Sequence, residues 1–562
     1  MLGSLKLFLS RQISANRAEM AALLRTLREK GPGAVAFWFL ALGVGVASGF
    51  AALLFRLGIG KLQDFLYGVD DPRHLHSYAQ TLEWYWILLI PTLGGLVVGL
   101  VLNWFTGDGR VRSVGDVIEG AALYDGRVEI RAGLGSALAS FITLASGGSS
   151  GREGPVVHLA SVMSTWLAER LHASGVNARE LMGCAVAAAV SASFNAPIAG
   201  AIFALEVVLR HYAVRAFAPI AIAAVAGTVI NRLQFGNVTE FHLVDEGAVT
   251  FYVELPAFLL LGVVSGLVAA IFMRAIFFSD DLAGWFYRTT RLPPVLRPAL
   301  AGLLLGAIAI RFPHIIGVGY ETTSLALTGQ LVLGQAIIFA VVKAVAVAIT
   351  MSGRMGGGIF SPSLMMGALT GLAYGIIATS VLPDLSGSET LYALAGMGAV
   401  AAAVLGAPIS TTLIMFELTG DWQTGIAVLA AVSLSSALGS RLVDRSFFLS
   451  LLERKGLHVA AGPQAYLPGM FGVGELLRPT NSPHCADEAT CWEMIEAGNY
   501  VDGTATLEML MPAFEASGAD FLPVVNLRGE NDAPELLGAV FQVDALRAYN
   551  RALAARVREE HA

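Results

Sequence analysis

The chain has 562 residues, of which 55% are hydrophobic and 14% charged, and its mean hydropathy is +0.65. Soluble domains are typically about 45–50% apolar and about 25% charged, so the composition excludes an ordinary soluble protein and predicts an all-α polytopic membrane protein. Three cysteines without a histidine pattern predict neither a disulfide framework nor a metal site. We expect no enzyme activity, no catalytic residues, no required cofactor and no nucleic-acid partner.

The first 33 residues carry six basic residues against two acidic ones. They contain no short apolar region followed by a small-residue cleavage site, which argues against a signal peptide. We predict an amphipathic N-terminal helix that its positive charge holds in the cytoplasm. The C-terminus is expected on the same side of the inner (plasma) membrane.

Apolar segments follow in two sets, and the membrane domain is predicted over residues 34–460. The first set, within 34–235, covers about 34–57, 84–105, 132–146, 156–171, 180–194, 198–209 and 216–233. The second, within 251–445, covers about 251–278, 296–311, 331–352, 362–381, 391–405, 409–418 and 425–442. Several are shorter than the roughly 20 residues of a spanning helix. Short, interrupted segments at matching places in two halves indicate a binding site.

A glycine- and serine-rich loop at residues 146–155 carries two charges, Arg152 and Glu153, between apolar segments. Irregular backbone at membrane depth is tolerated only where it is buried in protein or lines water. Pro155 favours the first turn of a new helix, which we place at 156–160. Such a helix start directs free amides and the positive dipole end at the loop. The loop therefore predicts an anion site in which Glu153 could itself be the first occupant.

The two halves repeat one another. An Ala-Pro pair at Pro197 is followed nine residues later by Glu206, and Pro408 is followed at the same spacing by Glu417. A second glycine-rich loop ends at Pro362, as the first ends at Pro155, so an internal duplication is predicted. Lys343 lies inside an apolar segment of the second half, where it snorkels, pairs or faces a vestibule.

Residues 151–155, Gly-Arg-Glu-Gly-Pro, and 358–362, Gly-Ile-Phe-Ser-Pro, resemble two motifs of the CLC family of chloride channels and chloride/proton exchangers. The resemblance implies an inverted-repeat helical fold with broken helices, a homodimer in the lipid bilayer, and a chloride pathway in each subunit. It implies that Glu153 is the gate, blocking the pathway when ionised. The anion-binding positions that it implies are Arg152, Gly154, Gly358, Ile359 and Phe360.

Three positions depart from the family pattern. Ser113 matches the anion-binding serine only in an ungapped alignment, and Asp116 could instead be the N-cap of a helix at 117–122. Phe448 occupies the position of an anion-coordinating tyrosine and has no hydroxyl to donate. Val207 occupies the position of the proton-accepting glutamate and carries no proton. These departures favour an uncoupled voltage- or pH-gated channel, and an antiporter that uses another proton route is the alternative.

The composition changes after residue 455, and residues 470–546 resemble one CBS module with a strand at its start near 473–478. A helix that ends at Gly518, a strand, and a second strand that leads into a helix are predicted, followed by a charged helical tail at 547–562. A structural or dimer-stabilising role is expected, and adenine-nucleotide binding is the alternative. Two rivals from other classes are a membrane-anchored nucleotide sensor and an intramembrane hydrolase built on Ser149 or Ser150 with His158.

Overall fold

The computed structural model divides into two compact units, residues 1–458 and 459–562. The structure describes residues 34–561 with several gaps. The gaps are residues 70, 213, 237–250, 382, 384–385, 387, 458, 460–471, 481, 483–484, 504, 506 and 527–534. The amphipathic helix predicted for residues 1–33 lies outside the described residues. Each unit is described separately below.

The first half of the larger unit consists of helices that follow the predicted apolar segments. They are Ala34–Tyr67, Leu75–Ala79, Trp84–Phe105, Val114–Leu123, Ile130–Ala145, Glu153–Leu171, Gly175–Phe194, Pro197–Phe203 with its widened continuation Ala204–Leu209, and Val214–Phe235. A 3₁₀ turn, Pro72–His74, connects the first two. The helix Val114–Leu123 begins three residues before its predicted start.

The second half repeats this series. Its helices are Phe251–Thr290, Leu296–Arg311, Tyr320–Leu327, Leu333–Ser352, Phe360–Val381, Glu389–Leu405, Pro408–Thr419, Trp422–Val443 and Phe447–Arg454, with a 3₁₀ turn at Pro313–Ile315. Among the described residues, seven helices are long and apolar enough to cross a membrane. The protein is therefore a multi-pass membrane protein with a mainly helical fold. Ala34–Tyr67 and Phe251–Thr290 extend well beyond their predicted ends, because both helices continue through charged residues that the apolar pattern excludes.

Glycines let helices of the two halves approach at backbone distance. A β-carbon at Gly302 would lie 2.0 Å from the carbonyl oxygen of Pro91, and one at Gly95 would lie 2.2 Å from that of Pro298. These contacts join Trp84–Phe105 to Leu296–Arg311. Small residues at interfaces are typical of helix packing in membranes, where close van der Waals contact replaces the hydrophobic effect.

The duplicated Ala-Pro segments cap one another. Glu206 accepts hydrogen bonds from the backbone amides of Ile409 at 2.9 Å and Ser410 at 2.8 Å. Glu417 accepts them from Ile198 at 3.0 Å and Ala199 at 2.8 Å. Each glutamate thereby satisfies orphan amides at the start of the opposite helix. This reciprocal exchange is the relation expected of two repeats about a pseudo-twofold axis.

Lys343 is fully buried. Its ammonium donates to the carbonyl oxygens of Ile315 at 3.3 Å and Gly317 at 3.0 Å. Of the alternatives left by the sequence, the structure therefore supports pairing, with backbone carbonyls as the partners.

The smaller unit contains a four-stranded sheet of order β1-β4-β3-β2. Its elements are a helix, Val473–Leu476; β1, Arg478–Pro479; a helix, Glu488–Glu496; β2, Val501–Asp502; a helix, Leu507–Ser517; β3, Phe521–Asn526; β4, Glu535–Phe541; and a helix, Gln542–His561. β2 pairs parallel with β3, whereas the other pairs are antiparallel. Gly518, with φ +61°, follows the third helix as predicted.

One detail of this unit differs from the prediction. The strand expected near residues 473–478 is a helical turn followed by a strand of two residues, because Val473 packs into the apolar core of the unit. The charged segment from residue 547 to residue 561 lies within one helix, Gln542–His561, that follows β4. The strand and helix order remains consistent with a CBS-like domain.

Candidate functional site

The two glycine-rich loops meet in the larger unit. Gly151 and Gly358 form an antiparallel bridge in which each donates its amide to the other's carbonyl oxygen at 2.7 Å. Each loop leads directly into a helix, Glu153–Leu171 in the first repeat and Phe360–Val381 in the second. The bridge therefore brings two helix N-termini together, and each such terminus carries roughly half a positive charge.

Both helices begin earlier than predicted. We expected the first near residue 156 and the second at Pro362, but they begin at Glu153 and Phe360. In both, proline is the third helical residue. The first-turn amides of a helix have no partner within it, so proline is tolerated there without loss of a hydrogen bond. Glu153 consequently belongs to the first helical turn.

The Glu153 side chain is buried, with 1% of the residue exposed. Its Oε1 accepts hydrogen bonds from the Ser361 hydroxyl at 2.6 Å and the Tyr320 hydroxyl at 3.4 Å. Oε2 is buried and has no hydrogen-bond partner among the described residues. It lies 2.6 Å from where a β-carbon on Gly151 would be, so only glycine leaves room for this oxygen. The carboxylate is thus held by one oxygen and unsatisfied at the other.

A cavity of about 20 Å³, termed the small cavity, lies beside this carboxylate. Its lining includes Ser113, Glu153, Gly154, Gly358, Ile359, Phe360 and Phe448. Glu153 is the one titratable side chain among the lining residues. The volume holds about one water-sized sphere. The fold therefore brings together the predicted anion-site residues except Arg152 around a space for one small occupant.

Arg152 lies on a different cavity. Its side chain is buried, its Nη2 donates to the Ser193 carbonyl oxygen at 3.4 Å, and its guanidinium lies 5.1 Å from the Tyr320 ring centre. A cavity of about 280 Å³, termed the large cavity, is lined by Arg152 and Tyr320 and by Arg56, Lys61, Gln63, His76 and Glu321. Arg152 can thus attract an anion in the large cavity, and its Nε is 3.9 Å from Glu153 Oε1.

The large cavity also contains a contact between a histidine and a carboxylate. His76 Nδ1 lies 3.1 Å from Glu321 Oε2, and the same carboxylate oxygen accepts the His76 amide at 3.0 Å. Burial lowers the pKa of His76, and the carboxylate of Glu321 opposes that shift. Tyr320 and Glu321 are consecutive residues at the start of the helix Tyr320–Leu327. This helix therefore links the large cavity to Glu153.

Ser113 has the capping position that we had considered for Asp116. The helix Val114–Leu123 has Ser113 as its N-cap, and Asp116 in the first turn accepts the Ser113 amide at 2.7 Å. The N-cap prediction for Asp116 was wrong, because the helix starts earlier and its carboxylate reaches back instead. Ser113 nevertheless lines the small cavity. Its role as an anion ligand stays a prediction.

Aromatic rings close the small cavity. Phe448 lines it from the start of the helix Phe447–Arg454, and its ring lies 5.9 Å from that of Phe447. The Phe360 ring lies 4.7 Å from Phe194 and 5.7 Å from Phe203. These rings offer steric closure and no hydrogen-bond donor.

An ion cluster fixes the helix that carries Phe448. Lys455 Nζ lies 2.8 Å from Asp116 Oδ1 and 3.3 Å from Glu119 Oε2. Burial disfavours the charge of Lys455, yet the two carboxylates outweigh it and raise its pKa. The cluster joins the helices that carry Ser113 and Phe448.

Val207 is buried in the segment Ala204–Leu209 and lies outside the lining of the small cavity as the structure describes it.

The sequence analysis gave no role to Ser361 or Tyr320, although Ser361 belongs to the motif at residues 358–362. The available signal for Ser361 was its hydroxyl, because Ser361 comes directly after the glycine-rich loop where a helix start was predicted. Tyr320 had none, since its short helix falls between the apolar segments.

Proteins that are similar to this chain in sequence are described as chloride channels. A chloride channel protein, ClcB-like, of Ralstonia nicotianae is 34% identical over 392 residues, 69% of this chain and 90% of the relative. The voltage-gated ClC-type chloride channel ClcB of Escherichia coli is 29% identical over 408 residues, 72% of this chain and 96% of the relative.

Solved structures share the fold. A slow cyanobacterial Cl⁻/H⁺ antiporter has a TM-score of 0.65 at 21% identity and covers 75% of this chain and 97% of its own. A eukaryotic CLC transporter has a TM-score of 0.65 at 18% identity, and the match covers 93% of this chain and 98% of the transporter chain. The family model described as voltage gated chloride channel matches residues 94–440, which is more than half of the chain. The protein therefore belongs to the CLC family.

Proposed function

We propose that the protein transports chloride across the membrane through the small cavity of each subunit, with Glu153 as the gate. The observation that carries this proposal is the bridge between Gly151 and Gly358, which places two helix N-termini and a buried carboxylate at one cavity. Converging helix N-termini bind anions without a fixed positive charge. Moderate binding of this kind lets an anion leave as well as enter.

Glu153 and chloride are alternative occupants of this position. The ionised carboxylate is itself an anion and competes for the amides, whereas a protonated carboxyl does not. Among the lining residues no other side chain can supply a negative charge. Acid on the side of the large cavity therefore raises chloride flux by releasing Glu153 from the pathway.

Chloride is the favoured substrate, and fluoride is the alternative. The proteins of Ralstonia nicotianae and Escherichia coli similar to this chain are described as chloride channels. A CLC-type fluoride/proton antiporter shares the fold with a TM-score of 0.60 at 20% identity, covering 74% of this chain and 97% of its own. Likeness at that identity supports the fold alone.

Uncoupled, voltage- or pH-gated conduction is favoured over exchange. Val207 cannot carry a proton, and the described lining of the small cavity offers no second acid besides Glu153. The alternative is a chloride/proton antiporter whose protons bypass the Val207 position. Proton movement driven by a chloride gradient distinguishes the two.

The assembly is a homodimer in the inner membrane, with both termini in the cytoplasm. The tail unit stabilises the structure or the dimer, and adenine-nucleotide binding is the alternative. Equilibrium binding of ATP to the full-length protein decides between them. The family assignment leaves the nucleotide-sensor alternative without support.

The direct test is chloride efflux from proteoliposomes between about pH 4 and about pH 8. Efflux of the unmodified protein is expected to rise as the pH falls. Glu153→Gln and Glu153→Ala are expected to conduct at every pH with little pH response. Unchanged flux and pH response in both variants would overturn the proposal.

A further inference from the structure

We propose that Ser361 is a positioning residue for the gate, whose hydroxyl holds the ionised Glu153 carboxylate in the closed state. This inference rests on the proposed function. Ser361 is buried, and its Oγ donates to Glu153 Oε1 at 2.6 Å. Ser361 comes from the second repeat and Glu153 from the first. The hydrogen bond thus joins the two repeats at the gate itself.

The orientation of this hydroxyl is unlike that of neighbouring hydroxyls. Ser363 and Thr370 of the same helix donate to backbone carbonyls four residues earlier, at 2.7 Å each. Back-bonding of this kind is the usual fate of a serine or threonine inside a helix. Ser361 instead directs its hydroxyl at Glu153, which lies 208 residues away in sequence. Ser361 is the second residue of its helix, so residue 357, four positions earlier, lies outside the helix and the hydroxyl is available for this contact.

Other groups around the carboxylate are placed less favourably. Tyr320 approaches Oε1 at 3.4 Å, and Arg152 Nε lies 3.9 Å from the same oxygen. His76 and Glu321, which pair with one another, line the large cavity with Arg152 and Tyr320. Of these three contacts to Oε1, the 2.6 Å bond from Ser361 is the shortest. Hydrogen bonds to ionised groups are the strong ones, so the Ser361 hydroxyl contributes directly to holding the ionised carboxylate in place.

The physical consequence is a shift in the pH at which the gate opens. A hydrogen bond donated to the ionised form favours that form. Removing the donor leaves the closed carboxylate less stable, so less acid is needed to release it. The pH of half-maximal flux is expected to rise by about one pH unit, which is tenfold in proton concentration.

The test is chloride efflux against pH for Ser361→Ala and for Ser361→Cys, which keeps the side-chain volume but donates weakly. Both are expected to reach the flux of the unmodified protein at acid pH, with the midpoint moved to higher pH. Ser363→Ala is the matched control, because it removes a buried hydroxyl from the same helix whose partner is the Ile359 carbonyl. Its midpoint is expected to stay in place.

Combination with Glu153→Ala separates this inference from the proposed function. In that background Ser361→Ala is expected to cause no change, since the carboxylate that it holds is absent. If Glu153→Ala alone retains the pH response, the proposed gate fails. If Glu153→Ala abolishes the response but the Ser361 variants share the midpoint of Ser363→Ala, the gate stands and the role of Ser361 is refuted.

Discussion

Gly358→Ala probes the backbone contact on which the site depends. A β-carbon at Gly358 would lie 2.9 Å from the Gly154 nitrogen, 3.2 Å from its Cα and 3.4 Å from the Gly151 carbonyl oxygen. All three neighbours are backbone atoms, so no side chain can rotate away and the two loops must separate. Overpacking of this kind costs about 1–3 kcal/mol of stability. The pair of 2.7 Å hydrogen bonds between Gly151 and Gly358 would be lost or lengthened with it.

The loss of flux is expected to exceed the loss of stability. The loops present the amides at the two helix N-termini, and one hydrogen bond to a charged group contributes about 1.5–3 kcal/mol. Chloride efflux through Gly358→Ala in proteoliposomes should therefore fall by at least about tenfold. The variant should still show a cooperative thermal unfolding transition in detergent. Gly334→Ala is the control, because a β-carbon there meets nothing within 4 Å. If efflux stays within about twofold of the Gly334→Ala control, the tenfold loss expected from one such bond has not occurred. That result would refute the assignment of the pathway to these loops.

Three further outcomes are expected. Glu417→Gln weakens the cap on the helix that begins at Pro197 and should lower the free energy of unfolding by about 1–3 kcal/mol; an unchanged unfolding temperature would contradict it. Phe448→Tyr adds a donor beside the small cavity and should tighten chloride binding about tenfold, as measured by calorimetry; an unchanged affinity would contradict it. Lys455→Met leaves Asp116 without its 2.8 Å partner and should destabilise by about 1–3 kcal/mol; the same unfolding temperature as the unmodified protein would exclude this role.

Most of the membrane fold could be predicted from apolar segments, because a helix that crosses a bilayer must be long and predominantly apolar. The exceptions have a physical reason. The helix Val114–Leu123 lies in a stretch with several polar residues, so its start could not be fixed by hydropathy, and Asp116 was mistaken for the N-cap. The helix Ala34–Tyr67 continues through Arg56 and Lys61. A prediction from apolar residues places the end of the helix at these charged residues.

The candidate site could be predicted where local motifs define it and not where distant residues complete it. Glu153 and the loop at residues 358–362 follow from glycine spacing and the duplication. The contacts from Ser361 and Tyr320 to Glu153 span 208 and 167 residues, and no local pattern encodes such pairs. The family resemblance implied an anion-binding position for Arg152 together with Gly154, but the Arg152 side chain lines the large cavity.

Reciprocal capping explains why the two repeats hold their register in the membrane. Glu206 and Glu417 each satisfy two amides of the opposite repeat, and unsatisfied backbone groups cost several kcal/mol in a bilayer. The bridge between Gly151 and Gly358 is a further exchange of backbone hydrogen bonds between the repeats, next to Glu153. The position of Glu153 therefore depends on contacts made by both halves.

The most direct test of gated, uncoupled chloride conduction is simultaneous recording of chloride efflux and proton movement in proteoliposomes. A chloride gradient is imposed without an initial proton gradient, with the unmodified protein and Glu153→Gln measured side by side. We predict chloride flux without proton movement in both, and a pH response in the unmodified protein alone. Uphill proton movement driven by chloride would contradict the uncoupled pathway and require a proton route that bypasses Val207.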